Sequence, residues 1–200
     1  MPKWRTGCKT PLRGADMTVQ RFMVDIETLG VKPDSIILSI GCASFNTNRI
    51  GPTAVHYTRV DVPSCEAIGL KMDWGTVRWW MEQHEAARRE ILDPEGSVSV
   101  YNALIWLSDF IRSESNGREI RVYAKDPDFD CVILRTAYDL THIPCPWHYW
   151  QTRSVRTTLE DRGYSKNLRA QHHALNDALI QLQAVQEALN PSLFMSEEVI

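Results

Sequence analysis

Apolar and polar positions along this chain follow two periods, and the change from one to the other outlines a domain. Phe22-Met23-Val24 form an apolar run within residues 21–25. Ile36-Ile37-Leu38-Ser39-Ile40-Gly41-Cys42-Ala43-Ser44-Phe45 form a longer one after a turn around Lys32-Pro33-Asp34, and a third covers 53–60 after Gly51-Pro52. Runs of this length, punctuated by Gly, Pro and Asn, predict three strands in an antiparallel meander. Helical spacing then takes over in 76–84 and 85–92, up to the breaker Asp93-Pro94-Glu95-Gly96. Residues 97–113 give the clearest amphipathic helix, with Val100, Leu104, Leu107 and Ile111 on one stripe. A buried strand is expected over 120–124, a helix over 129–140, a short strand near 147–150, and helices over 155–162 and 173–189, the last stopped before Asn190-Pro191. Three strands followed by alternating helices and strands predict one α/β domain with helices on both faces of the sheet. Residues 1–18 read as a flexible leader, with Met17 an alternative start, 19–192 as the domain and 193–200 as a tail.

Composition changes this picture little. Two hundred residues, 44% hydrophobic and 24% charged, suit one domain with its own core. The net charge of −3 means that a polyanionic partner must be held by a local patch or through metal ions. No apolar run approaches the roughly 18 residues of a membrane span, and the first residues lack the apolar centre of a signal peptide. Five cysteines without a C-x-x-C pair speak against a zinc site or a disulfide framework, so a cytoplasmic address is expected.

The chemistry lies in the acids. Asp25-Ile26-Glu27-Thr28 closes the first strand, and alternation projects Asp25 and Glu27 from the same face. Burying two neighbouring acids costs several kcal/mol unless something positive lies between them. Hard divalent cations such as Mg²⁺ or Mn²⁺ fill that role with oxygen ligands. In Lys125-Asp126-Pro127-Asp128-Phe129-Asp130 a strand gives way to a helix, with Asp128 in the N-cap position and Asp130 in the first turn. Taken singly, these are the acids that any helix start favours. Gln171-His172-His173-Ala174-Leu175-Asn176-Asp177 places Asp177 in the second turn of the last helix and two histidines at its start. No further Cys or His stands at zinc-ligand spacing. Together these segments supply four carboxylates and a histidine. Two divalent ions ~3.5–4 Å apart would neutralise the acids and form a phosphoryl-transfer site. A neutral imidazole, with an ordinary pKa of about 6.5, suits proton removal from water.

Asp25-Ile26-Glu27-Thr28, then Phe129-Asp130, then His172-x-Ala174-x-x-Asp177, in that order, resemble the histidine-containing (DEDDh) branch of the DEDD superfamily of 3′→5′ exonucleases. Pro33-Asp34-Ser35-Ile36-Ile37-Leu38-Ser39-Ile40-Gly41 and Thr76-Val77-Arg78-Trp79-Trp80-Met81-Glu82-Gln83 look like the small stand-alone exonucleases of phages and bacteria. The resemblance covers roughly residues 20–189. It implies an RNase H-like fold with a mixed five-stranded sheet, one strand antiparallel. It also implies that Asp25, Glu27, Asp130 and Asp177 ligate two Mg²⁺ or Mn²⁺ ions, Asp25 bridging both, with His172 as general base. The i,i+4 spacing of His173 and Asp177 keeps His173 open as the alternative base. The implied reaction is hydrolysis of the 3′-terminal phosphodiester of single-stranded DNA or RNA, releasing nucleoside 5′-monophosphates.

Substrate contacts implied with it are Thr28, Leu29 as a wedge against the terminal base, Phe129, and Lys125 on a phosphate or paired with Asp126. Relatives carry a small or amide residue and Gly where this chain has Lys125-Asp126-Pro127-Asp128, a change that removes no ligand. Arg153, Arg156, Arg162, Lys166 and Arg169 against Glu160 and Asp161 form either a phosphate track or a solvated helix and loop. Trp79-Trp80 and Trp106 fall on helical patterns as core, whereas Trp147, Tyr149 and Trp150 are offered for base stacking. A homodimer would complete the basic patch. Two other readings remain open: a silent nucleic-acid- or partner-binding module of the same fold, and an α/β domain whose acids serve only as caps.

Overall fold

A computed structural model describes residues 19–92, 95–164, 168 and 171–194. The expected leader and Lys166 and Arg169 of the expected phosphate track lie outside the described residues. The three apolar runs form β1 (Val19–Thr28), β2 (Ile37–Phe45) and β3 (Pro52–Arg59). Every residue of β2 is buried, as its near-continuous apolar run requires of a strand covered on both faces. β4 (Glu119–Ala124) and β5 (Thr152–Ser154) add on the other side of β1, giving the order β3-β2-β1-β4-β5. β2 is antiparallel to β1 and β3, while β4 is parallel to β1 and β5 to β4. One strand of five therefore opposes the rest, as the resemblance implies.

Seven α-helices connect and cover these strands among the described residues: α1 (Val62–Ala67), α2 (Trp74–Met81), α3 (Glu85–Leu92), α4 (Val100–Ser115), α5 (Asp130–Thr141), α6 (Val155–Glu160) and α7 (Ala174–Leu189). Alternation along β1 divides the core. Phe22, Val24 and Ile26 pack in one cluster with Leu104, Leu107 and Ile111 of α4 and Ile133, Leu134 and Tyr138 of α5. Met23 packs in the other, with Val155 and Leu159 of α6 and Ala178, Leu182 and Val185 of α7. Asp25 and Glu27 continue the Met23 side, so α7 is the helix that meets them.

In secondary structure the protein departs from the sequence expectations in four places. α1 has no apolar period in its six residues, and its start is marked by Asp61, whose side chain accepts the Ser64 N–H. The strand expected near 147–150 is a 3₁₀ turn, Tyr149–Gln151, and the strand follows at 152–154. Asp128 does not cap α5; that position belongs to Phe129, which makes no side-chain cap bond, because the turn closes one residue later through the Asp126 carbonyl. Asp177 stands in the first turn of α7, which His173 caps.

α7 reaches β1 because Gly41 has no side chain. Gly41 pairs with Asp25 across β1 and β2, and a Cβ there would lie 2.4 Å from backbone atoms of Ala174 and Leu175. Backbone cannot yield as a flexible side chain does. Gly41→Ala should therefore push α7 off the sheet and destabilise the protein by about 1–3 kcal/mol or more. Urea unfolding measures this, and an unchanged midpoint would show that the helix start can shift freely.

Candidate active site

β1 and β4 run parallel, so both end at the same edge of the sheet, where crevices in open α/β sheets lie. Their pairing stops at Met23 and Tyr123. Past that point the Ile26 N–H, freed from the ladder, donates to Asp130 Oδ1 at 3.2 Å. Asp130 is the first residue of α5, and so the β4–α5 connection brings it onto β1. From the other side, the first turn of α7 brings Asp177. The carboxylate of Asp177 accepts two backbone N–H groups, Gln171 at 2.7 Å on Oδ1 and His172 at 3.1 Å on Oδ2. Those bonds fold the segment before α7 back over the site.

The four acids and His172 line one cavity of about 190 Å³, with Lys125, Asp126 and Phe129. One oxygen from each of Asp25, Glu27 and Asp177 lies within 4.8 Å of the others; Asp130 is not part of that group but lines the same cavity. Among the described residues no ion pair reaches any of the four. Burial, then the charges of Asp130 and Glu27, hold the Asp25 carboxyl well above the usual carboxylate range. Burial, then Asp177 and Asp130, push Glu27 up to about 8. Asp130 is also raised, by burial, against the lowering effect of its backbone hydrogen bonds. Buried like charges without countercharge are what a cation cluster relieves. The donor set, all carboxylate oxygen, fits a hard divalent ion. Ser39 Oγ, opposite Glu27, and Gln181 Oε1 are buried polar atoms without a partner among the described residues.

His172 and His173 separate clearly. His172 has φ +59°, a left-handed conformation that costs an L residue about 1–2 kcal/mol. The residue lines the acid cavity, and its ring lies edge-on to Trp79 (4.9 Å) and Trp80 (5.8 Å). His173 turns away: its Nδ1 accepts the Asn176 N–H, and its ring stacks on Tyr57 at 4.6 Å.

A second cavity, of about 420 Å³, adjoins the first through Ile26, Glu27 and Phe129. Its walls are Thr28, Gly30, Val31, Asp73, Gly75, Thr76, Trp79 and Trp80. The Trp80 indole N–H donates to the Thr28 carbonyl at 2.9 Å and fixes α2 to the end of β1. Thr28 and Phe129 thus line this cavity, whereas Leu29 packs partly buried against the core. Lys125 lines the acid cavity and donates to the Leu168 carbonyl; Asp126 pairs with Arg156 at 2.9 Å rather than with Lys125. Arg153 lines neither cavity, and its guanidinium donates to the carbonyls of Trp150 and Thr152. Among the aromatics, Trp147 is core at 2% exposure, while Trp79 at 41% lines the second cavity. Sequence reasoning missed Trp79, Trp80, Gly41 and Gln181. The last had a signal, being a polar residue on the apolar stripe of α7.

The model of the 3′-5′ exoribonuclease Rv2179c-like domain matches residues 20–189. A search of curated proteins gives no match. Among solved structures, the nuclease domain of 3′hExo, a DEDDh family member bound to rAMP, superposes with a TM-score of 0.54 at 13% identity, covering 85% of this chain and 92% of that one. Escherichia coli exonuclease I in its ssDNA complex gives 0.58 at 12%, covering 89% of this chain and 42% of that one. Cell-death related nuclease 4 gives 0.54 at 11%, covering 85% and 63%. This chain thus spans under half of exonuclease I, and at these identities the likeness shows the fold. With the family model covering the whole α/β domain and the four acids and His172 gathered at its sheet edge, the chain belongs to the Rv2179c-like 3′-5′ exoribonuclease domain family and is an exonuclease.

Proposed function

We propose that this protein is a divalent-cation-dependent exonuclease that shortens single-stranded nucleic acid from the 3′ end, RNA in preference to DNA, and releases nucleoside 5′-monophosphates. The observation that carries the reading is the convergence of Asp25, Glu27, Asp130, Asp177 and His172 on one cavity. Asp25, Glu27, Asp130 and Asp177 would hold two Mg²⁺ or Mn²⁺ ions, which supply the countercharge for a phosphodiester and polarise its cleavage. The protein's own groups do the rest. His172 faces the cavity and takes the proton of the attacking water as that water bonds to phosphorus and the 3′-oxygen of the penultimate nucleotide leaves. The adjoining cavity takes the terminal nucleoside, with Trp79 as its flat wall and Phe129 between the two spaces. RNA is favoured by the family's description as exoribonuclease and by the rAMP on the 3′hExo domain.

Single-stranded RNA and DNA of equal sequence, labelled at the 5′ end, test this with Mn²⁺ or Mg²⁺. The expected result is a ladder shortening from the 3′ end, faster on RNA, with mononucleotides as product. Internal cuts, or no cleavage of either polymer, would sink the proposal.

A further inference from the structure

Asp25 has a partner that phosphodiester hydrolysis does not call for. Gln181 lies on α7 one turn beyond Asp177, so both side chains leave the helix on the same face. It is 3% exposed, on a stripe shared with the buried Ala178, Leu182 and Val185. Its Nε2 donates to Asp25 Oδ1 at 2.7 Å. Its Oε1 has no partner among the described residues, and leaving such an atom unpaired costs about 1–3 kcal/mol. Leu or Met would pack the same face without that cost. What the amide adds is the N–H to Asp25. Its neutrality matters too: Lys would put a positive charge where the acids would hold ions, and Glu would add a fifth negative one.

We infer that Gln181 is a positioning residue, which fixes one oxygen of Asp25 and so presents the other to the cations that Asp25, Glu27 and Asp177 would share. This rests on the exonuclease reading above. It also gives α7 a double task. The helix carries the Asp177 carboxylate and, one turn on, the amide that orients Asp25, so seating α7 against Gly41 sets both together.

Gln181→Met removes the donor and keeps length and apolar packing; Gln181→Leu is the second variant. Calorimetric titration of the full chain with Mn²⁺ alone should show binding weaker by about 10–100-fold, the usual effect of removing a group that orients a metal ligand. On a single-stranded RNA, kcat should fall over the same range with KM little changed, and excess Mn²⁺ should restore it. Thermal unfolding in EDTA should leave both variants at least as stable as the wild type. Unchanged Mn²⁺ affinity and kcat would overturn the inference. So would a loss of affinity that tracks a lowered Tm in EDTA, which assigns Gln181 to folding. If the wild type binds Mn²⁺ but cleaves neither polymer, the exonuclease reading fails, and the titration still decides the role of Gln181.

Discussion

Alanine at His172 should lower kcat on single-stranded RNA by about 10²–10⁴-fold, the range a positioned general base contributes, whereas alanine at His173 should leave kcat within a small factor of the wild type. The two residues are adjacent and chemically identical, and backbone geometry makes the difference. The left-handed turn at His172 sets that residue in the wall of the acid cavity, with its ring against Trp79 and Trp80. His173, with φ −140° and ψ 109°, is extended, and its ring is spent on the α7 cap and on Tyr57. His173→Ala should therefore cost about 1 kcal/mol of stability, as a lost N-cap does. Steady-state kinetics at saturating Mn²⁺ with urea unfolding separate the two effects. Equal losses of kcat at both positions would remove the base assignment from His172.

The parts of this site that follow a short period were legible in the sequence. Asp25 and Glu27 share a face because strand alternation leaves no other choice, and the meander of β1–β3 follows from short connections. The convergence of Asp130 and Asp177 on that face depends on long-range topology: β4 must lie parallel beside β1, and α7 must cross β2 at Gly41. The resemblance carried that step, since no local pattern does. The aromatics show where periodicity fails. Trp79 and Trp80 have helical spacing, which reads as core, but α2 covers the open end of the sheet, so only Trp80 is buried and Trp79 faces a cavity. Trp147 sits among prolines and reads as surface, yet it packs edge-on against Tyr138. Gln181 is masked in the sequence by the apolar members of its stripe, although a buried polar residue on such a stripe calls for a buried partner.

The cation-free protein should lose stability steadily as pH rises from about 4.5 to about 8, and Mn²⁺ should reverse that loss. Glu27 carries the window, being raised from the ordinary 4.5 to about 8 by burial and then by Asp177 and Asp130. Across it the native state keeps a proton that the unfolded chain has released, so the stability contribution is complete below the unfolded value and gone once the folded value is passed. Asp25 and Asp130, also raised, act in the same direction. The total is on the order of a few kcal/mol. Metal ligands bind as anions, so cation binding expels these protons and strengthens with pH. An ion at one hundred times its dissociation constant adds about 2.7 kcal/mol. Thermal unfolding in EDTA between pH 5 and 8, repeated with Mn²⁺, measures both slopes. Asp25→Asn makes the same point by mutation: removing one of the crowded charges should raise Tm in EDTA at pH 8 while abolishing cleavage, the trade expected where function requires buried like charges. A flat profile in EDTA, with no response to Mn²⁺, would mean that water already screens these acids and that no cation is needed to hold them together.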